Sequence, residues 1–182
     1  MLQENLLHVY AQDEVRDPVA IVGARKALEG FKEELDRTLR GLDGEFLSSV
    51  VDREGFKTLF LLVADGEAFP LREGPSIFEG CTRPRRTNVL HVYGQEAWHG
   101  ESMVAGDREA LGQLRDAVER ALQDGEASFS SFASADDKFE VVVRLAEDAE
   151  FLRALPLPYR AEFAGGLAGR SKEVVQLLRK EA

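Results

Sequence analysis

The chain has 182 residues, of which 44% are hydrophobic and 31% charged, and its formal net charge at pH 7 is −10. This is the composition of an ordinary globular protein, and its apolar runs fall well short of the roughly 20 residues of a membrane span. The single cysteine, Cys81, excludes an internal disulfide. Because the N-terminus lacks the pattern of a secretory signal, we expect a cytoplasmic protein with no membrane partner.

The negative charge is concentrated in two long segments. Residues 1–78 carry 15 acidic and 9 basic side chains and residues 88–163 carry 15 and 7, whereas the segments 79–87 and 164–182 each have a net charge of +2. Acidic folded units repel a phosphate backbone, so no nucleic-acid partner is expected. The same charge favours a basic protein as a partner.

A segment near the N-terminus recurs later in the chain. The run NLLHVYAQ at 5–12 returns as NVLHVYGQ at 88–95, and 12 of the 35 positions in 5–39 match the residue 83 positions later. We interpret this as a tandem duplication, with a first repeat at 1–78, a basic linker at 79–87 and a second repeat at 88–163. Each repeat is near the lower size limit for an independent core, so we expect the two to pack together.

Both repeats predict the same order of elements, ββαββ. In the first repeat, strand-like runs at 6–10 and 19–22 precede a helix, and further strands follow at 47–50 and 58–63. The second repeat has the corresponding runs at 89–93, 102–105, 129–132 and 141–145. Each helix carries one apolar stripe with helical spacing, formed by Leu28, Phe31, Leu35 and Leu39 in the first and by Leu111, Leu114, Val118 and Leu122 in the second.

This order predicts an α+β fold with a mainly antiparallel sheet, both helices packed on one face and a pseudo-twofold arrangement. The helices are expected to end at Gly41 and Gly125, where a left-handed residue closes the last turn. We align the double serines of the third strands, so that Ser48 corresponds to Ser130. The pattern leaves open whether the repeats extend one sheet or form two small sheets packed together.

The tail, 164–182, has no counterpart in the first repeat. A Gly-rich hinge is predicted at its start, followed by a short C-terminal helix with Ser171 as the N-cap. The apolar side of that helix, which includes Leu177 and Leu178, either closes the core or contacts another chain. Trp98, on a loop of the second repeat, is either a buried plug or an interface anchor.

The first candidate site is the glycine–x–arginine sequence at each helix start. Free N–H groups and the helix dipole make a helix N-terminus attractive to anions, and arginine adds a bidentate donor. The first copy has Gly23, Arg25 and Lys26, and the second has Gly106 and Arg108. A small anionic ligand, nucleotide-like or carboxylate-bearing, is the expected occupant. The alternative is a purely structural turn from strand to helix.

The second candidate site is a polar row on the first strand of each repeat. Alternate residues of a strand share one face, which groups His8, Tyr10 and Gln12 in the first repeat. The second repeat groups His91, Tyr93 and Gln95 in the same way. These side chains either contact a ligand or form hydrogen bonds within the fold.

The sequence contains no recognisable catalytic or metal-binding motif. Phosphate-binding loops, dinucleotide motifs and nucleophile elbows are missing, and the three histidines do not provide the spacing of a metal site. We therefore expect neither metal nor cofactor. A non-catalytic binding protein is the leading hypothesis, followed by a protein–protein module of the inhibitor or immunity type, and an enzyme is third.

Overall fold

The computed structural model describes residues 5–51, 54–74, 76–159 and 170–181, which form ten strands and four helices. The predicted mixture of helices and strands is thus confirmed, while the hinge predicted at 164–169 lies outside the described residues. The strands are β1 (Leu7–Tyr10), β2 (Val19–Gly23), β3 (Gly44–Val51), β4 (Glu54–Leu62), β5 (Phe69–Gly74), β6 (Ile77–Thr82), β7 (Leu90–Tyr93), β8 (Ser102–Gly106), β9 (Glu126–Phe132) and β10 (Lys138–Leu145). The helices are α1 (Arg25–Leu39), α2 (Arg108–Asp124), α3 (Ala149–Ala154) and α4 (Ser171–Lys180).

Eight of these strands form two four-stranded sheets. Sheet I has the order β1-β2-β10-β9 and sheet II the order β3-β4-β8-β7. Each sheet joins a hairpin from residues 1–78 to a hairpin from residues 88–163, so neither a single sheet nor one sheet for each half describes the fold. The two outer pairs of each sheet are antiparallel and the central pair is parallel.

The remaining strands, β5 and β6, form a separate hairpin that the sequence patterns did not predict. Strand β6 includes residues 79–82, the first part of the predicted linker.

The strand registers of the two halves repeat at a constant separation of 83 residues. Leu145 lies opposite Gly23 in sheet I, and Leu62 lies opposite Gly106 in sheet II. Isolated parallel bridges join the two sheets at Leu6–Ser49 and at Val89–Phe132. Ser49 therefore corresponds to Phe132, so the alignment of Ser48 with Ser130 is wrong by one residue.

Helices α1 and α2 share one core with the inner faces of both sheets. Their apolar stripes supply Leu28, Phe31, Leu35, Leu111, Leu114 and Val118, which are fully buried. Inward-facing strand residues from each sheet, such as Ile21 and Val104, belong to the same cluster. The predicted stripes are thus correct, and they bury both helices against both sheets.

The two long helices end as predicted but begin differently. Gly41 and Gly125 follow the last turns with φ of 82° and 91°, a conformation that favours glycine. Helix α1 begins after Ala24 without a side-chain cap. Helix α2 is capped by Asp107, whose carboxylate accepts from the N–H groups of Ala110 and Val89 at 2.9 and 3.0 Å.

The outer faces of the two sheets are covered by unlike structures. The cluster outside sheet I includes Leu6, Tyr10, Ala20, Val22, Val142 and Ala146 and is covered by α3 and α4. The cluster outside sheet II includes the six corresponding residues, Val89, Tyr93, Met103, Ala105, Leu59 and Val63, and is covered by Phe69 and Phe78 of the β5–β6 hairpin. The expectation that the helices pack on one face is therefore wrong for α3 and α4.

Helix α4 is attached to sheet I by its buried side chains and by its first N–H group. Arg170 is its N-cap, so the prediction that Ser171 is the cap is wrong by one residue. The N–H of Ser171 donates to the carboxylate of Asp13 at 3.1 Å. Burial raises the pKa of Asp13, and the Ser171 N–H opposes that shift. A carboxylate from a distant loop thus takes the place of a local cap.

Candidate functional site

The arginines at the two helix starts contact the opposite helix. Arg25 donates to the carbonyl oxygen of Leu122 at 3.1 Å, and Arg108 donates to that of Leu39 at 2.8 Å. Arg25 also binds Glu147 at 2.9 Å. Because these carbonyls lie in the last turns of antiparallel helices, each guanidinium satisfies groups that the other helix leaves unbonded.

The glycines before these arginines permit close packing. A Cβ atom at Gly23 would lie 2.8 Å from the side chain of Leu7, and one at Gly106 would lie 2.9 Å from that of Leu111. Real Cβ atoms almost never approach so closely, so both positions exclude larger residues. Lys26 is exposed on the first turn of α1. The glycine–x–arginine sequences therefore have a structural use at both helix starts.

The polar row of β1 is buried on the outer side of sheet I. His8 Nε2 lies 2.9 Å from the carbonyl oxygen of Val50, and Nδ1 lies 2.8 Å from the hydroxyl of Tyr10. That hydroxyl donates to the carbonyl oxygen of Pro156 at 2.5 Å. A neutral imidazole and a phenol supply two protons to these three contacts, so one contact is without a proton.

The matching row of β7 is half-buried, and its hydrogen bonds are all satisfied. Tyr93 donates to the carbonyl oxygen of Pro70 at 3.0 Å, and His91 Nδ1 lies 3.0 Å from the Tyr93 hydroxyl. His91 Nε2 lies 2.7 Å from the hydroxyl of Ser134. Because a serine hydroxyl can donate where the Val50 carbonyl cannot, three protons serve three contacts with a neutral His91.

Burial controls the ionisation of both rows. It lowers the pKa of His8 and of His91 from 6.5 to about 4, against smaller opposing effects of backbone contacts. It also raises the pKa of Tyr10 and of Tyr93. All four side chains are therefore neutral near pH 7, and neither histidine is suited to accept a proton at that pH.

The two rows end close together, where β1 and β7 run into loops 11–18 and 94–101. A Cβ atom at Gly94 would collide with the carbonyl of Val9 and lie 3.3 Å from the backbone nitrogen of Ala11. The side chain of Gln12 donates to the carbonyl of Asp17 at 2.7 Å and holds its own loop, and Gln95 is fully buried. Backbone packing thus fixes the junction of the two strands.

Two cavities lie at this junction. The larger, about 340 Å³, is called here the β7 cavity and is lined by Ala11, Gln12, Arg72, Leu90, His91, Val92, Tyr93, Glu96 and Ala133. The smaller, about 130 Å³, is lined by Tyr10, Ala11, Gln12, Asp13, Gly94, Glu96, Pro158 and Tyr159. Ala133 corresponds by register to the fully buried Val50. The β7 cavity therefore lies where the second half has the smaller side chain.

Arg72 forms one wall of the β7 cavity and is almost fully buried. Its guanidinium donates to the carbonyls of Gly94 and Glu101 and lies 3.3 Å from the carboxylate of Glu96. It also stacks over the rings of Phe78 and Tyr93, at 4.9 and 5.6 Å from their centroids. These contacts fasten the β5–β6 hairpin to β7 and fix the shape of the wall.

The predicted interface residues are placed differently from one another. Trp98 is 64% exposed, and Val15, its counterpart in the other loop, is 71% exposed. Leu177 is 38% exposed, whereas Leu178 is buried against sheet I. Trp98, Val15 and Leu177 can therefore contact a partner, and Leu178 belongs to the core.

The structure separates the two predicted parts of the site. In the β1–β2 hairpin Leu7 lies opposite Gly23 and Tyr10 lies opposite Ala20, so Gln12 and the start of α1 are at opposite ends. The strand rows instead meet Arg72 and Glu96, which sequence reasoning missed. The change from Val50 to Ala133 at the repeat separation was the signal in the sequence.

The described part of the chain offers no group of three metal-ligating side chains. Within the same residues, no helix has the length and apolarity needed to cross a membrane, and Cys81 is an exposed free thiol. Comparison of the chain with protein-family models, with curated proteins and with solved structures finds no match.

Proposed function

We propose that the protein is a non-catalytic binding protein made of two ββαββ repeats, which binds a small polar ligand in the β7 cavity. The repeats are supported by strand registers, helix contacts and interhelical ion pairs that recur at 83 residues. The exchange of hairpins between the sheets supports a duplication of a unit that could not close its core alone.

The β7 cavity is the observation that carries the ligand site. Its volume of about 340 Å³ lies in the range of small-molecule sites. The corresponding region of sheet I has the larger Val50 and two covering helices, whereas sheet II has Ala133 and a two-stranded hairpin. A space opened in one half alone is difficult to explain as a requirement of the common fold.

The lining indicates the chemistry of the ligand. His91 is neutral because of its lowered pKa, Glu96 contributes a carboxylate, and the charge of Arg72 is already engaged. These groups favour a ligand with hydrogen-bond donors over a strongly anionic one. The anionic ligand expected at the helix starts is not part of this proposal, since Arg25 and Arg108 bind carbonyl groups there.

Thermal unfolding with a panel of amino acids, dipeptides, nucleosides and sugars tests this proposal. Ala133→Val fills the β7 cavity with the residue that the first half carries, and Val50→Ala is the matched control outside the cavity. We expect a compound that stabilises the wild type and the control but leaves Ala133→Val unshifted. The proposal is wrong if no compound stabilises the wild type, or if all three proteins respond equally.

A protein partner is the second candidate, and the exposed pair of Val15 and Trp98 favours it. The two side chains occupy corresponding positions in loops whose next residues, Arg16 and His99, share a positive φ of 70° and 56°. A preordered loop with an exposed tryptophan is suited to a protein interface. Trp98→Ala should release a co-purifying partner without changing the melting temperature, and retention of the partner would contradict this second candidate.

A further inference from the structure

We infer that the ligand of the β7 cavity is an extended peptide segment, which adds to the free edge of β7 as a short extra strand. The inference rests on the proposed ligand site and specifies its chemical class. It depends on the direction of the β7 backbone groups, on the gap beside them and on the charge at one end of that gap.

The hydrogen-bond phase of β7 gives the direction of its backbone groups. The N–H of Asp107 donates to the carbonyl of Val89 at 3.1 Å, so Val89 faces the neighbouring strand β8. In an antiparallel pair the residues alternate between facing the partner and facing away. The N–H and C=O groups of Leu90 and Val92 consequently face away from β8, and both residues line the cavity.

The gap beside this edge results from the divergence of β7 from β9. The two strands touch at the bridge between Val89 and Phe132, where the Phe132 N–H donates to the carbonyl of Asn88 at 3.1 Å. Beyond that bridge the neighbouring residue is Ala133, a cavity-lining residue without a bulky side chain. An inserted strand would thus continue a pairing that the fold already begins.

The spacing and the charges suit a peptide. Two outward residues on one strand edge are spaced by about 6.6 Å, which matches the alternate residues of an added strand. Glu96, at the cavity wall, has a carboxylate that retains 20% exposure beside Arg72. That carboxylate and the Gln12 amide can accept from an N-terminal ammonium group. The segment is therefore expected to be a peptide with a free amino terminus.

A pool of tetrapeptides composed of alanine, valine and threonine, with free amino termini, is the probe. Two matched pools carry an acetylated terminus or N-methylated backbone amides, which remove the charge and the strand donors separately. Adenine and uracil supply donor–acceptor edges without a peptide backbone. Amide NMR spectra of the full chain report the contacts of Leu90 and Val92, and thermal unfolding reports binding.

We expect the free-amine pool to shift the amide signals of Leu90 and Val92 and to bind wild type but not Ala133→Val. N-methylation should weaken binding by at least about tenfold, because backbone hydrogen bonds are lost. Binding of the N-methylated pool at full strength, or of adenine or uracil in place of peptides, would overturn the peptide inference alone. If neither these probes nor the compound panel binds, the proposed ligand site is wrong as well.

Discussion

Arg25 and Arg108 make the same contact at opposite ends of the helix pair, each donating to a last-turn carbonyl of the other helix. Between them, Lys32 lies 3.8 Å from Glu119 and Arg115 lies 2.9 Å from Asp36, again related by the repeat separation. The carboxylates raise the pKa of Arg115. Positive charge at a helix N-terminus, unfavourable in isolation, is thus offset by the C-terminal dipole of the neighbouring helix.

Arg108→Gln should destabilise the fold without affecting a ligand in the β7 cavity. The substitution removes the charge that faces the carbonyl of Leu39, an exposed contact worth about 0.5–1 kcal/mol. Urea denaturation measures the loss. Arg108→Lys is the control that retains the charge and should recover part of the stability. An equal loss in both variants would show that the guanidinium geometry matters and the charge does not.

Local patterns predicted the elements well because they depend on neighbours in sequence. The stripe of Leu28, Phe31 and Leu35, the left-handed Gly41 and Gly125 and the shared face of His8 and Tyr10 follow from helical and strand periods. The exchange of hairpins between sheets depends on contacts between residues more than 100 positions apart, such as those of Val19 with Val141. No local period contains that information.

The candidate site was harder to predict for the same reason. Arg25 looked like an anion ligand because its acceptor, Leu122, lies on another helix. Identical letters also misled the alignment of the double serines, where pairing and burial follow a separation of 83 residues. Only at that separation does the difference between Val50 and Ala133 become visible.

Val50→Ala should be costly, whereas its counterpart Ala133→Val should be tolerated. Val50 is fully buried, so removing two methyl groups loses their transfer free energy and leaves a cavity, about 1.5–3 kcal/mol in total. Position 133 borders a cavity that can accept the same groups. Urea denaturation of both variants compares the costs, and a larger loss for Ala133→Val would contradict the assignment of the space.

The stability of the protein should fall as the pH drops from about 6.5 to about 4. Both His8 and His91 have a folded-state pKa of about 4 and an ordinary value of 6.5. The unfolded chain therefore binds protons first, and each histidine removes up to about 3 kcal/mol across that window. Above pH 6.5 this contribution is fully present.

Urea denaturation at several pH values between 7 and 4 measures this dependence. His91→Gln, which cannot ionise, should reduce the slope by about half the combined effect. The comparison uses the slope, so a uniform loss of stability in the variant does not affect it. An unchanged slope would mean that His91 is not neutralised by burial.

The two buried histidines should hold opposite tautomers near neutral pH. The Val50 carbonyl can only accept, which places the proton of His8 on Nε2. Tyr93 donates to Pro70, so His91 keeps its proton on Nδ1 and accepts from Ser134 at Nε2. Long-range proton–nitrogen NMR spectra distinguish the two forms. Ser134→Ala should leave the His91 tautomer unchanged, and identical tautomers at both positions would contradict these networks.

Gly94→Ala and Gly112→Ala should change stability in opposite directions. At Gly94 the added methyl collides with the backbone of Val9, which cannot move aside as a side chain can, and we expect a loss of at least about 2 kcal/mol. At Gly112, inside α2, a Cβ atom meets nothing within 4 Å, and the higher helix propensity of alanine should add about 0.8–1 kcal/mol. Urea denaturation of both variants tests the pair. Because Gly94 holds the ends of β1 and β7 together, a harmless alanine there would show that the junction beside the β7 cavity is loosely packed, and the cavity would lose its fixed wall.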